Sequence, residues 1–64
     1  MKNRIRVLRA ETRMTQEDLA NMVNVSRQTI ISIENDKYSP SLDLAFKLAK
    51  VFETTIEDIF TPEE

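Results

Sequence analysis

Two residues that commonly begin α-helices, Thr15 and Ser26, stand eleven positions apart, and each is followed by a short amphipathic stretch. Asp18 comes three positions after Thr15, which is the spacing of a capping box, and Ser26 precedes its stretch in the same way. Between the stretches lies Asn24, and after glycine, asparagine is among the residues that most easily adopt the left-handed conformation of a tight turn. Residues 15–34 therefore predict two short helices joined by one turn.

The rest of the chain is also predicted to be helical. Apolar residues recur at helical spacing before and after the central segment, and no stretch of useful length has the alternation of a strand. The predicted helices cover residues 3–12, 16–22, 27–34, 42–52 (begun by Ser41 or Ser39) and 56–60 (begun by Thr55). The expected fold class is all-α, with five short helices in a single domain, residues 1–64.

Composition limits the chemistry open to these 64 residues. The chain has no cysteine and no histidine, which excludes a disulfide or thiolate metal site and removes the commonest metal ligand and general base. Its carboxylates are spread over helix caps and surface positions, so we expect no enzyme activity, metal, cofactor or small-molecule ligand. No apolar run has the length of a signal peptide or a membrane span, so we expect a cytoplasmic protein without a membrane partner.

A net charge of −2 at first weighs against binding to nucleic acid. The charges are unevenly distributed, however. Residues 1–38 carry seven Lys and Arg against five acidic residues, and residues 39–64 carry two against six. The basic excess coincides with the two capped helices, as expected if that half faces phosphates. Alternatively, both halves are ordinary solvated surfaces.

Two capped helices at this spacing are typical of a helix-turn-helix, whose second helix lies in a DNA groove. The sequence reads TQEDLA at 15–20, VSRQTI at 25–30 and PSL at 40–42. With these segments the chain resembles the Cro and phage-repressor type of domain, the XRE family, over nearly its whole length. The resemblance implies a compact lambda-repressor-like fold in which helices two and three form the helix-turn-helix.

The same resemblance implies that three residues of the third helix read DNA bases: Arg27, Gln28 and Ser32. Arginine suits the two acceptors of guanine, and glutamine suits the acceptor and donor of adenine. Ser32 lies one turn beyond Gln28 on the same side of the helix. The alternative is an ordinary exposed helix face. Ile31 also falls near this side, where it could contact thymine methyl groups or simply pack on a neighbour.

Phosphate contacts are predicted around these base-reading residues. Gln16, at the start of the second helix, can donate its amide to a phosphate oxygen. The resemblance implies that this position and the loop after the third helix bind the DNA backbone. The predicted phosphate-binding residues are Gln16, Ser26, Thr29, Asn35, Lys37 and Tyr38. Two alternatives stay open: the loop after the third helix is merely polar, and the Thr29 hydroxyl bonds within its own helix.

Two further sets of residues have predicted structural roles. The resemblance suggests that Arg9 and Glu34 form a mostly buried ion pair joining the first and third helices. The apolar surface near the fourth and fifth helices predicts an isologous homodimer through Pro40, Leu42, Ile56 and Phe60, with Phe46 also on that surface. The alternative is that the apolar residues of this end only close the core of one chain.

The absence of glycine is a departure from the family. At helix ends, where such domains commonly carry glycine, this chain has Arg13, Asn24, Asp36 and Glu53. We predict a positive φ at Asn24 and leave the other three open.

The function that these residues predict is sequence-specific binding of double-stranded DNA by a small transcriptional regulator. We expect a homodimeric repressor acting on a palindromic operator. The alternative is an antitoxin-like or adaptor module that uses the same fold to bind a protein. Arg27, Gln28 and Lys37 favour the regulator, because an adaptor would not need all three together.

Overall fold

Five helices and a pair of very short strands make up the structure, a computed structural model that describes residues 1–62. The elements in chain order are β1 (Lys2–Asn3), α1 (Ile5–Glu11), α2 (Gln16–Met22), α3 (Arg27–Glu34), α4 (Leu42–Val51), α5 (Ile56–Ile59) and β2 (Phe60–Thr61). The helical fold class predicted from the sequence is confirmed. The last two positions of the predicted domain, 63 and 64, lie outside the described residues.

Four of the helices begin at a hydroxyl residue whose side chain caps the first turn. Thr15, Ser26, Ser41 and Thr55 each accept a hydrogen bond from the backbone N–H three residues on. At Thr15 the capping box is complete, because the Asp18 carboxylate also accepts from the Thr15 N–H at 3.0 Å. This hydrogen bond from the Thr15 backbone lowers the pKa of Asp18. The caps fix where α2 and α3 start, and both helices have the predicted bounds.

Helices α1 to α4 are each followed, two positions after their last residue, by a residue with positive φ. These residues are Arg13 (56°), Asn24 (59°), Asp36 (60°) and Glu53 (54°). At each end, the N–H of the following residue donates to a carbonyl five positions back, as Val25 does to Ala20 at 3.0 Å. This is the pattern of a Schellman motif, formed here without glycine. The prediction for Asn24 is confirmed, and the other three positions have the same conformation.

The small antiparallel sheet corrects the predicted bounds of the first and last helices. Lys2 pairs with Thr61, and Asn3 pairs with Phe60. The Asn3 side chain donates to the Ile33 carbonyl at 2.8 Å, which holds the N-terminal strand against α3. Asn3 and Phe60 were predicted to be helical. They are extended because pairing and this side-chain bond satisfy their polar groups outside a helix.

The core lies between the helices and consists of aliphatic side chains with Phe60. Its fully buried residues include Ile5, Leu19, Ile30, Ile33, Leu48 and Ile59. Within residues 1–62, no helix has the length and hydropathy needed to cross a membrane. The same part of the chain holds no group of three or more carboxylates placed to bind a metal ion.

Candidate nucleic-acid interface

The two central helices form one packed unit whose outer side is α3. Leu19 and Val23 of α2 and Ile30 and Ile33 of α3 are buried in the same apolar cluster. Because Ile30 and Ile33 point inward, the residues between and before them must face outward or sideways. The first turn of α3, which begins after the Ser26 cap, is therefore presented to solvent.

The three predicted base-reading residues lie along this outer side. Arg27 and Gln28 are exposed, and Ser32 is half-buried one turn later. None of the three side chains forms a hydrogen bond or ion pair within residues 1–62. Their donors and acceptors are thus available to a ligand. Ile31 is half-buried, as Ser32 is.

A shallow depression on α3 brings base-reading and phosphate-binding candidates together. It has a volume of about 240 Å³ and is lined by Ser26, Gln28, Thr29, Ser32 and Tyr38. Tyr38 comes from the loop after α3 and is 50% exposed. Residues predicted separately from the third helix and the following loop therefore border one surface.

Glu34, the last residue of α3, has a side chain with no exposed surface and several partners. Arg9 donates to it through Nε at 2.6 Å and Nη2 at 3.2 Å, and Gln16 donates through Nε2 at 3.1 Å. Burial raises the pKa of Glu34, but the hydrogen bonds from Arg9 and Gln16 and the charges of Arg9 and Arg6 outweigh it. The pKa is lowered overall, and Glu34 is a carboxylate at neutral pH.

Arg6 is a member of this network that was not predicted from the sequence. Its Nε lies 3.7 Å from Glu34 Oε1, and its Nη2 donates to Asn35 Oδ1 at 3.2 Å. The available signal was its position three residues before Arg9, because residues three apart share one face of a helix. Asn35, a predicted phosphate contact, is therefore already engaged through its side-chain oxygen.

The other candidate phosphate-binding residues differ in which side-chain hydrogen-bond donors are still available. Gln16 uses one amide N–H toward Glu34, which leaves the second. Lys37 is exposed, and its backbone N–H donates to the Ser32 carbonyl at 2.9 Å, which fixes the start of the loop.

The hydroxyls of Ser26 and Thr29 lie 2.9 Å apart and share one hydrogen bond. The local bond considered for Thr29 is therefore present. Since each hydroxyl carries one hydrogen and one of the two is used, a single O–H remains to donate outward.

The predicted dimer residues separate into exposed and buried members. Leu42 is 67% exposed, Pro40 and Ile56 are half-buried, and Phe46 is 59% exposed one turn after Leu42. Phe60 is a correction. It is 5% exposed because its pairing in β2 turns the ring into the core, so it lies inside the monomer rather than on its surface.

Comparison with known proteins gives concordant matches. A family model described as Helix-turn-helix matches residues 5–59. An uncharacterized HTH-type transcriptional regulator of Methanocaldococcus jannaschii is 59% identical over 64 residues, covering 100% of this chain and 97% of that protein. The cryptic phage CTXphi transcriptional repressor RstR of Vibrio cholerae is 34% identical, covering 97% of this chain and 56% of its own length.

A solved structure also has this fold. The restriction-modification controller protein C.AhdI from Aeromonas hydrophila superimposes with a TM-score of 0.81 at 28% identity. The match covers 89% of this chain and 86% of that one.

Proposed function

The chain belongs to the helix-turn-helix family of transcriptional regulators, and from this premise we propose that it is a homodimeric repressor that binds a palindromic operator. The family is one of DNA-binding regulators rather than enzymes. Because its proposed ligand is DNA, we also propose that the protein acts in the cytoplasm.

The observation that carries the proposal is the set of unengaged polar side chains on α3. Arg27, Gln28 and Ser32 have no partner within residues 1–62, although their neighbours Thr29 and Glu34 are both hydrogen-bonded. In a helix-turn-helix, residues of the second helix's first turns contact base edges in the major groove. The three unpaired side chains are therefore free to contact base edges.

The chemistry of these side chains indicates which bases they would read. Arg27 can donate two hydrogen bonds to O6 and N7 of guanine, and Gln28 can pair with N6 and N7 of adenine. Ser32 can donate or accept and therefore discriminates less. Each good bidentate contact contributes about 1 to 3 kcal/mol of discrimination.

Phosphate contacts on either side of α3 would fix its position in the groove. Lys37 and Tyr38 extend from the loop after α3, and the second amide N–H of Gln16 is available at the start of α2. The unpaired O–H of the Ser26–Thr29 couple supplies one more donor. Such contacts set register and orientation without reading sequence.

A homodimer would supply the specificity that one short helix lacks. Two protomers related by a twofold axis place their recognition helices about 34 Å apart, one turn of DNA, and thus read a palindrome. Leu42 and Phe46 of α4 expose two large apolar side chains one turn apart, and Pro40 and Ile56 are half-buried. We assign the dimer contact to this surface, without Phe60. Repression would follow from promoter occlusion.

The same exposed pair supports a second candidate function. Leu42 and Phe46 could instead bind a different protein, as in an antitoxin-like or adaptor module, with DNA binding secondary. Such a module would not need Arg27, Gln28 and Lys37 together.

Selection of bound duplexes from a random DNA pool tests the proposal. A regulator of this kind is expected to enrich a palindrome, and Gln28→Ala is expected to change the enriched motif at symmetric positions. The matched control is Lys47→Ala, because Lys47 is exposed on α4 and not on the α3 surface. Absence of any enriched motif would favour the adaptor.

A further inference from the structure

A second, larger cleft lies beside the start of α3. Its volume is about 650 Å³, and its walls come from the α1–α2 connection and the starts of α2 and α3. Arg13, Gln16 and Arg27 are among its lining residues. The cleft therefore joins a predicted phosphate contact and a predicted base-reading residue to an arginine that has no assigned role.

The charge of this cleft is positive. Arg13 and Arg27 form no ion pair within residues 1–62, and Arg9, which also lines the cleft, is committed to Glu34. The one acidic lining residue is Glu17. Two uncompensated guanidinium groups against one exposed carboxylate favour an anionic ligand, and a planar guanidinium matches the geometry of phosphate oxygens.

The backbone at Arg13 gives no reason for an arginine there. Arg13 has φ of 56°, in the left-handed region that favours glycine and asparagine. The turn is closed by main-chain bonds alone, from Arg13 N–H to the Ala10 carbonyl at 3.2 Å and from Met14 N–H to the Arg9 carbonyl at 2.9 Å. The side chain is exposed and takes no part in the turn.

We propose that Arg13 binds a phosphate of the DNA backbone beside the base pairs faced by Arg27, which extends the contact surface from α3 to the α1–α2 connection. This inference rests on the proposed function, because its ligand is a phosphate of the same duplex. Arg13 contributes affinity and register and reads no base.

The test compares three variants by titrating the selected duplex at salt concentrations from 50 to 200 mM. Arg13→Asn removes the charge and keeps a residue that tolerates positive φ, and Arg13→Lys keeps the charge. Lys50→Asn is the control for net charge, since Lys50 is exposed on α4 away from the cleft. Each phosphate contact contributes about 0.9 to the slope of log affinity against log salt.

Arg13→Asn is expected to lower this slope by about 0.9 for each bound protomer. It should weaken the selected and a scrambled duplex by the same factor and leave the enriched motif unchanged. Arg13→Lys and Lys50→Asn should keep the slope of the unmodified protein. Thermal unfolding of Arg13→Asn at or above the temperature of the unmodified protein excludes a folding defect.

The outcomes separate the two proposals. If the unmodified protein binds its motif and Arg13→Asn keeps the full slope, the Arg13 proposal is overturned and the proposed function stands. A loss of slope equal to that of Lys50→Asn also overturns it, because the effect would then be net charge alone. If the unmodified protein binds no duplex, both proposals fail.

Discussion

Arg9 reaches both carboxylate oxygens of Glu34, with Nε 2.6 Å from Oε2 and Nη2 3.2 Å from Oε1. The Glu34 side chain is 0% exposed and that of Arg9 is 15% exposed. Nη1 of Arg9 also donates to the Met14 carbonyl at 3.0 Å, so one guanidinium ties α1 to both α3 and the connection before α2. Gln16, a predicted phosphate-binding residue, belongs to the same network through its hydrogen bond to Glu34 at 3.1 Å.

Loss of Arg9 is expected to be severely destabilising. Arg9→Met would leave a buried carboxylate without its main partner, which costs about 3 to 5 kcal/mol. The whole free energy of unfolding of a domain this size is about 3 to 10 kcal/mol, because folded proteins are stable by roughly 0.05 to 0.15 kcal/mol per residue. Urea unfolding should therefore show a large loss of stability, up to complete unfolding if the unmodified protein lies at the low end of this range.

Arg6→Met is the matched control for this experiment. Arg6 is 68% exposed and lies 3.7 Å from the same carboxylate, so its removal should cost no more than about 1 kcal/mol. Equal stability of Arg9→Met and Arg6→Met would contradict a structural role for the buried pair.

The lowered pKa of Glu34 predicts a loss of stability in acid. In an unfolded chain a glutamate has a pKa of about 4.3. In the folded protein the pKa of Glu34 lies below its usual value. Its contribution is therefore fully present above the unfolded pKa and is lost as pH falls through the folded pKa. Asp18 and Asp58, whose pKa values are also lowered, add to the same trend.

Urea unfolding between pH 6 and about pH 2.5 measures this dependence. Glu34→Gln should flatten the decline below about pH 4.3, and the comparison variant Asp18→Asn should remove a separate part of it. An unchanged acid slope in Glu34→Gln would show that Glu34 has the same pKa folded and unfolded.

The positive φ of Glu53 predicts that glycine would stabilise the end of α4. The left-handed conformation costs a residue with a side chain about 1 to 2 kcal/mol, and the extra flexibility of unfolded glycine offsets part of the gain. Glu53→Gly should thus raise the free energy of unfolding by about 0.5 to 1 kcal/mol. Asn24→Gly should gain less, because asparagine already tolerates this region. Destabilisation by Glu53→Gly would argue that its side chain holds the turn.

Local signals in the sequence account for the central helices but not for the ends of the chain. Thr15 and Ser26 determine where α2 and α3 begin, because each cap acts within three residues. The strands could not be predicted, since two residues show no periodicity and Lys2 pairs with Thr61 across almost the whole chain. The prediction that Phe60 is helical was wrong for the same reason, because its strand partner Asn3 lies near the other end of the chain.

The positions of the candidate site residues likewise depend partly on local helix geometry and partly on the packing of different helices. The outward positions of Arg27 and Gln28 follow from helix geometry, so the sequence alone was enough to infer them. The bond from Gln16 to Glu34 and the cleft beside Arg13 depend on how α1 packs near α2 and α3. No spacing within one helix encodes that packing.

The dimer proposal predicts that one charge on the exposed apolar surface separates the protomers. Leu42→Glu should shift sedimentation from a dimer to the 7.5 kDa monomer without loss of folding, because Leu42 is 67% exposed and an acidic residue suits the first turn of a helix. Met22→Glu, at an exposed apolar residue of α2, should remain a dimer. Dimers of equal strength in both variants would place the interface elsewhere.

Base reading by Gln28 and phosphate binding by Lys37 predict different effects of their substitution on DNA affinity. Gln28→Ala should lose about 1 to 3 kcal/mol at one base pair of each half-site and relax the preference there. Lys37→Ala should weaken all duplexes alike and lower the salt slope by about 0.9 per protomer while the preferred sequence stays unchanged.

Competition titrations with operators substituted at single base pairs distinguish the two effects. Both side chains are exposed and unpaired within residues 1–62, so neither substitution should alter folding, and a thermal melt controls for this. A uniform loss of affinity in Gln28→Ala would place Gln28 on the DNA backbone instead. The base-reading surface would then be limited to Arg27 and Ser32, and the recognised half-site would be correspondingly shorter.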